Sequence, residues 1–186
     1  RCATPKCALV QRNYAPGVHA NKGKRNVSEY GLQLAGKQKI KRSYGVSERQ
    51  FRKHFEEGEG KSGFAGEMLM ARLEKRLDNV VYRLGLAVSR AQARQLVAHG
   101  FISVNGKKLD IPSFEVKLGN IISIHTPKKV RKYVKNMETA LAHKKDFPSW
   151  IQFKKESMEG KIIGNPTRDD IGINLDPQVV MEYYSR

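Results

Sequence analysis

The sequence predicts an α+β fold. A mostly helical first part is followed by two short helices and a small twisted β-sheet. Three observations carry that prediction. Apolar residues recur at spacings of three and four through the first half of the chain, as in helices with one buried face. The period changes at Phe101, where strand-like alternation and an Asn105-Gly106 turn take over. Basic residues are interleaved with apolar ones, as expected of folded elements with a charged face. The expected limits are 1–73 for an irregular basic arm and helical domain, 74–137 for the module and 138–186 for the tail.

Taken in order, the arm from Arg1 to Val27 holds Pro5, Pro16, Gly17 and Gly23 and no sustained period. Ser28 caps a helix running to about Tyr44, with Tyr30, Leu34 and Ile40 inside and Gly45 as its stop. Ser47 and Gln50 form a capping box for the next helix, where Phe51 and Phe55 meet one turn apart. Gly58, Gly60 and Gly63 interrupt the chain. The strongest helical stripe follows, Leu69, Leu73, Leu77, Val80, Val81 and Leu84, either as one helix or as two joined near Arg72–Glu74.

Gly85 stops that pattern. A second capping box, Ser89 and Gln92, opens a helix from Arg90 to about His99 with Ala93, Leu96 and Val97 inside, closed by Gly100. Phe101–Val104 and Lys107–Asp110 read as a hairpin, Phe114–Leu118 as extended and Ile121–His125 as a further strand. A basic helix is expected over Val130–Lys144, with short strands at Trp150–Lys154 and Lys161–Gly164. Asp176 and Pro177 open a last helix carrying Val179, Val180 and Tyr183.

Charge narrows the class of partner. The 186 residues carry 35 Lys+Arg against 18 Asp+Glu, a formal charge of +17. Residues 1–73 hold 15 basic and 6 acidic side chains (+9), 74–137 hold 13 and 4 (+9), and 138–186 hold 7 and 8 (−1). With 39% hydrophobic residues the chain can bury a core, so wholesale disorder is excluded. No apolar run approaches the roughly 18–20 residues of a membrane span, and no signal-peptide core opens the chain. Such a basic balance points to a polyanion, nucleic acid before lipid.

The module's helices carry the sharpest constellation. Arg76 and Arg83 are seven apart and so share a helical face, with Asn79 between them. Arg90 and Arg94 are one turn apart, with Gln95 and His99 nearby. Guanidinium forks and capped helix starts both suit phosphate, and a rigid array of them reads backbone shape, as structured RNA requires. The alternative is a set of arginines that only solvate helix faces. On the RNA reading, Arg83 and Arg94 are expected to face solvent in the free protein.

Residues Arg76–Gly106 (RLDNVVYRLGLAVSRAQARQLVAHGFISVNG) resemble the small RNA-binding module named after small-subunit ribosomal protein four. The flanks extend the likeness. YGVSERQFRKHF at Tyr44–Phe55, Pro16-Gly17 before His19, Glu29–Leu34 before KQK and the closing VMEYYSR each resemble the bacterial-type small-subunit ribosomal protein four family, in order.

That resemblance implies a mostly helical first domain, with the small RNA-binding module inserted between it and a short tail that packs back on it, and a structural role in the small subunit. The family binds the 5′ domain of small-subunit rRNA at a multi-helix junction, supports early assembly, adjoins small-subunit ribosomal protein five and lines the messenger RNA entry channel. It implies rRNA contacts from Arg76, Asn79, Arg83, Ser89, Arg90, Arg94, Gln95 and Lys107 in the module. In the helical domain the matching candidates are Arg42, Tyr44, Arg49, Gln50 and Arg52, and Lys22, Lys24 and Arg25 match a basic segment near the messenger entrance. The location implied is a ribosome in the cytoplasm, an organelle ribosome being the variant, with no membrane and no required cofactor.

Two thiols, Cys2 and Cys7, cannot complete a tetrahedral zinc site alone; they read either as two reduced cytosolic thiols or as the second half of a four-cysteine knuckle whose first pair precedes Arg1. Some members of the family carry such a knuckle. A chain opening at Arg rather than Met is expected to lack upstream residues. The competing functional reading is an RNA pseudouridine synthase fragment, because Arg76-Leu77-Asp78 also occurs around the catalytic aspartate of those enzymes. Asp78 lies inside the module's first helix, where an ion pair or a capped turn is the simpler role. Only about 60 residues follow the module, too few for a catalytic domain of ordinary size. The chain is read as a non-enzyme.

Overall fold

The computed structural model describes residues 11–12, 14, 17–18, 26–59, 65–125, 147–154, 157–167, 169–171 and 177–185. The expected basic helix over Val130–Lys144, the Asp176 cap and the interruptions at Gly60 and Gly63 lie outside these residues.

The helical part comprises α1 (Glu29–Tyr44), α2 (Glu48–Glu59) and α3 (Ala65–Glu74). Ser28 caps α1, its hydroxyl accepting from the Gly31 N–H at 3.3 Å. Gly45 stops it with a φ of 64°, a left-handed conformation that glycine adopts without a Cβ penalty. The inner face of α1 differs from the expected one. Gln33, Lys37, Ile40 and Tyr44 are buried, whereas Tyr30 is exposed and Leu34 only half-buried. Polar side chains hold that face because partners reach them there: Lys37 meets Glu48, and Gln33 meets Glu29 and Glu182.

The apolar stripe from Leu69 to Leu84 is divided between two helices. Arg76 adopts extended backbone and bridges Glu115, while the N–H groups of Leu77 and Asp78 donate to the Phe114 and Pro112 carbonyls. The 112–116 segment thereby replaces the helical ladder for one turn, and α4 (Leu77–Arg83) starts in a new direction. Leu69 and Leu73 join a core with Ile40, Tyr44, Phe51 and Phe55. Leu77, Val80, Val81 and Leu84 join a second core with Leu96, Val97, Ile102 and Ile122.

In the module, α4 packs against α5 (Arg90–Ala98). Ser89 caps α5, accepting from the Gln92 N–H at 3.2 Å, but the Gln92 side chain returns to the Val88 N–H at 2.8 Å, one residue earlier than a capping box requires. The strands are β1 (Ile102–Val104), β2 (Lys107–Lys108), β3 (Ile121–Ile124), β4 (Ile151–Lys154) and β5 (Glu159–Ile162), in the antiparallel order β2-β1-β3-β5-β4. Asn105 and Gly106, at φ of 50° and 79°, turn the β1–β2 hairpin as their sequence predicts. Phe114–Leu118 makes only the single bridge at Glu115, not a strand.

The tail returns to the helical domain as expected and also completes the module's sheet and core. Trp150, Ile151 and Ile162 complete the module's core through β4 and β5, because Ile121 and Ile122 pair with Lys161 and Gly160. Ile171 and Val180 return to the helical core, the latter on α6 (Gln178–Tyr184), which packs along α1.

Candidate nucleic-acid interface

The break between α3 and α4 creates the site. Glu74 closes α3 with a side chain wholly removed from solvent, and Asp78, in the first turn of α4, is almost as deeply buried. Carboxylates so placed are costly unless every oxygen is matched. Glu74 accepts from Arg83 Nε at 2.9 Å and Nη2 at 2.7 Å, from Asn79 Nδ2 at 2.7 Å and from the Tyr44 hydroxyl at 2.6 Å. Asp78 accepts from Arg76 Nε and Nη2 at 3.2 and 3.0 Å, from Arg94 Nε and Nη2 at 2.9 and 2.7 Å, and from the Asn79 N–H at 2.8 Å. Both arginines give Asp78 two bonds: Arg76 spans the two oxygens as a fork, and Arg94 brings two donors to Oδ2 alone.

Arg90 lies beside Glu74, its Nη2 3.9 Å from Glu74 Oε1. Its Nε donates to Asn79 Oδ1 at 2.7 Å, and its guanidinium stacks over the Tyr44 and Tyr82 rings, each centroid at 4.7 Å. Burial, with the adjacent Glu74 carboxylate second, raises the Tyr44 hydroxyl well above its usual pKa, so it stays a proton donor. Burial alone lowers an arginine's pKa, but the Glu74 bonds outweigh it at Arg83, whose pKa is raised.

The network crosses from the module to both other parts of the chain. Arg94 Nη1 donates to the Gly45 carbonyl at 2.7 Å and Nη2 to the Tyr44 carbonyl at 3.2 Å, so α5 is pinned against the α1–α2 turn. Arg83 Nη2 donates to the Ile171 carbonyl at 2.6 Å, which fixes the tail.

The expected outward display of arginines is therefore corrected. Arg83 keeps 17% of its side-chain surface and Arg94 38%, and both are structural donors rather than free solvent-facing groups. Arg76, Asn79 and Tyr44 are buried. The cause is the acidic pair at the helix joint, which draws the forks inward. Asp78 takes the ion-paired role expected of it. Glu74 was not singled out in the sequence; its only signal is an acidic residue at the joint of an apolar stripe, one turn after Met70 and next to Leu73.

The remaining candidates among the described residues are exposed. Arg42 ends α1, Arg49 and Gln50 open α2, and Arg52 follows on its outer side in an exposed pair with Glu56 at 2.9 Å. Ser89 and Gln95 are exposed on α5, and Lys107 is exposed on the hairpin. Arg94, at the middle of α5, brings that helix beside the α1–α2 turn. Lys22, Lys24, Arg25, Cys2 and Cys7 lie outside the described residues. Among the described residues no helix is long and apolar enough to cross a membrane.

Fold and site together define a class: a protein that joins a basic helical domain to a compact RNA-binding module through one ionic cluster. Comparison with known proteins agrees in both parts. Residues 1–74 match the family described as ribosomal protein S4/S9 N-terminal domain, and residues 75–122 match the S4 domain. The chain is 49% identical over 186 residues to the small ribosomal subunit protein uS4 of Clostridioides difficile, covering all of this chain and 88% of that protein. It is 48% identical over 187 residues to uS4 of Thermodesulfovibrio yellowstonii and 46% over 186 to uS4 of Thermus thermophilus, with the same coverage. The chain belongs to the bacterial-type uS4 family of small-subunit ribosomal proteins. It is an rRNA-binding structural constituent of the ribosome and not an enzyme, and the pseudouridine-synthase alternative is set aside.

Proposed function

We propose that the protein binds the 5′ domain of small-subunit rRNA at a multi-helix junction, supports early subunit assembly there and lines the messenger RNA entry channel beside small-subunit ribosomal protein five. The observation that carries the reading is the Arg94 fork, which joins the α1–α2 turn to Asp78. It holds the helical domain against the module in an arrangement suited to a folded RNA rather than to any polyanion. Arg42, Arg49, Gln50, Arg52, Ser89, Gln95 and Lys107 are the exposed contacts, with the open edges of Arg83, Arg90 and Arg94 between them. Tyr44, Arg76 and Asn79 serve by holding that surface. Lys22, Lys24 and Arg25 face the messenger in this reading, and the setting is the cytoplasm. Zinc enters only if two further donors complete the set begun by Cys2 and Cys7.

Filter binding of the whole protein to a 5′-domain rRNA transcript tests the proposal. If about six phosphates are neutralised, log affinity falls against log salt with a slope of roughly −4 to −5. Chemical footprints should cluster at one multi-helix junction. Salt-insensitive affinity, or footprints scattered along the transcript, overturns it.

A further inference from the structure

We infer that Glu74 and Asp78, though acidic, are positioning residues that raise affinity for RNA. They act by holding the arginine surface in register across the helical domain and the module. The inference rests on the proposed rRNA binding and deepens it.

Charge alone predicts the opposite. A carboxylate beneath a phosphate-binding surface repels the ligand, and both of these lie directly under guanidinium groups. Yet every fork of the cluster is aimed by one of them. Arg83 is held by two bonds to Glu74, and Arg76 and Arg94 by two each to Asp78. Arg90 is aimed indirectly, since the Asn79 amide that accepts from it is itself anchored on Glu74 at 2.7 Å. Tyr44 completes the linkage. Its hydroxyl donates to Glu74, its ring lies under Arg90 and its carbonyl accepts from Arg94.

Arginine side chains are long and lose several rotors when fixed, an entropic cost met on folding or on binding. Here that ordering takes place when the protein folds, so RNA meets a surface already arranged. The same anchors hold the module at one angle to the helical domain. A single RNA then engages both basic surfaces together, and the second engagement is intramolecular.

The test uses the sign of the effect. Glu74→Gln and Asp78→Asn are nearly isosteric and each removes one negative charge, while Tyr44→Phe changes no charge and deletes only the hydroxyl bond to Glu74. Affinity of each full-length variant for the 5′-domain transcript is measured beside its thermal melt, at a temperature well below the melting midpoint. Positioning predicts about tenfold weaker binding for the two acidic variants and a smaller loss for Tyr44→Phe. It also predicts a shallower salt slope, because fewer phosphates are engaged at once. A stability role alone lowers the melting midpoint and leaves affinity and slope of the folded protein unchanged. Tighter or unchanged binding by folded Glu74→Gln or Asp78→Asn overturns the inference. Should either fail to fold, the other and Tyr44→Phe decide it. If the wild type itself binds without salt dependence, the proposed function fails first and separately.

Discussion

At the joint between α3 and α4 two carboxylates shut off from water receive planar guanidinium forks, while at the docking site of α6 a half-exposed carboxylate receives two ammonium groups. In the second cluster Glu48 takes Lys37 at 2.5 Å, Lys41 at 2.6 Å and the Tyr184 hydroxyl at 2.8 Å. The Lys37 ammonium also lies over the Tyr183 ring at 4.2 Å, and the Tyr184 ring packs on Phe55 at 4.7 Å. Both clusters join segments distant in sequence, but they constrain different things. A fork bonded twice to one carboxylate fixes a plane and so an orientation, whereas a lysine fixes only proximity. Orientation is needed where two basic units must meet one ligand. Proximity suffices where a terminal helix is held down mainly by the buried Val180 and the aromatic contacts.

The contrast can be broken at its strong end first. Glu74→Ala leaves the Arg83 fork, Asn79 and Tyr44 without their buried acceptor. Denaturant unfolding should show a loss of about 3–5 kcal/mol, as when one partner of a buried ion pair is deleted. A loss under about 1 kcal/mol would mean that water replaces the carboxylate, and the cluster would no longer differ from the exposed one. A subtler change is Arg94→Lys, which retains charge but gives up the fork on Asp78 and one of the two carbonyls at Tyr44 and Gly45. About 1–3 kcal/mol of stability should go. A melt equal to wild type would show that charge, not planarity, holds α5 to the α1–α2 turn.

Smallest is the effect of Glu48→Gln, since the carboxylate keeps 45% of its surface. Solvent screening limits the cost to about 0–1 kcal/mol at neutral pH. Its pH signature is clearer. Burial alone raises the Glu48 pKa, but the hydrogen bonds from Lys37, Lys41 and Tyr184 outweigh it and bring the value from an ordinary 4.5 down to about 2. A carboxylate depressed in the folded state contributes stability above its unfolded pKa and loses it as the pH falls through the folded value. Between pH 4.5 and about 2 the wild type should therefore lose stability more steeply than Glu48→Gln, read as melting midpoint against pH. Parallel curves would remove Glu48 from the α6 contact.

Much of this architecture is legible along the chain because its signals are local. Ser28, Gly45 and Ser89 mark helix limits through hydrogen bonds and φ preferences that act within four residues. Asn105-Gly106 specifies its hairpin in the same way. The inner face of α1 departs from the apolar period at two positions, because that period identifies buried positions by apolarity while Gln33 and Lys37 are buried by partners on α6 and α2. The site was legible in its residue types and not in its directions. Arg76, Arg83, Arg90 and Arg94 were found from their spacing, but spacing holds no information about the acid they turn toward.

What the sequence determined by itself, among the described residues, is where most helices start and stop, the Asn105-Gly106 turn, the basic balance and the kinship with the uS4 family, since capping, turn chemistry, charge and motif order are properties of neighbouring residues. The tertiary structure alone decided that one apolar stripe serves two cores, that β4 and β5 complete the module's sheet while α6 returns to α1, and that four arginines share two buried carboxylates. Those outcomes depend on contacts between residues far apart in the chain. A buried charge takes whichever opposite charge the fold brings to it, because leaving it unmatched costs more than any local preference can supply.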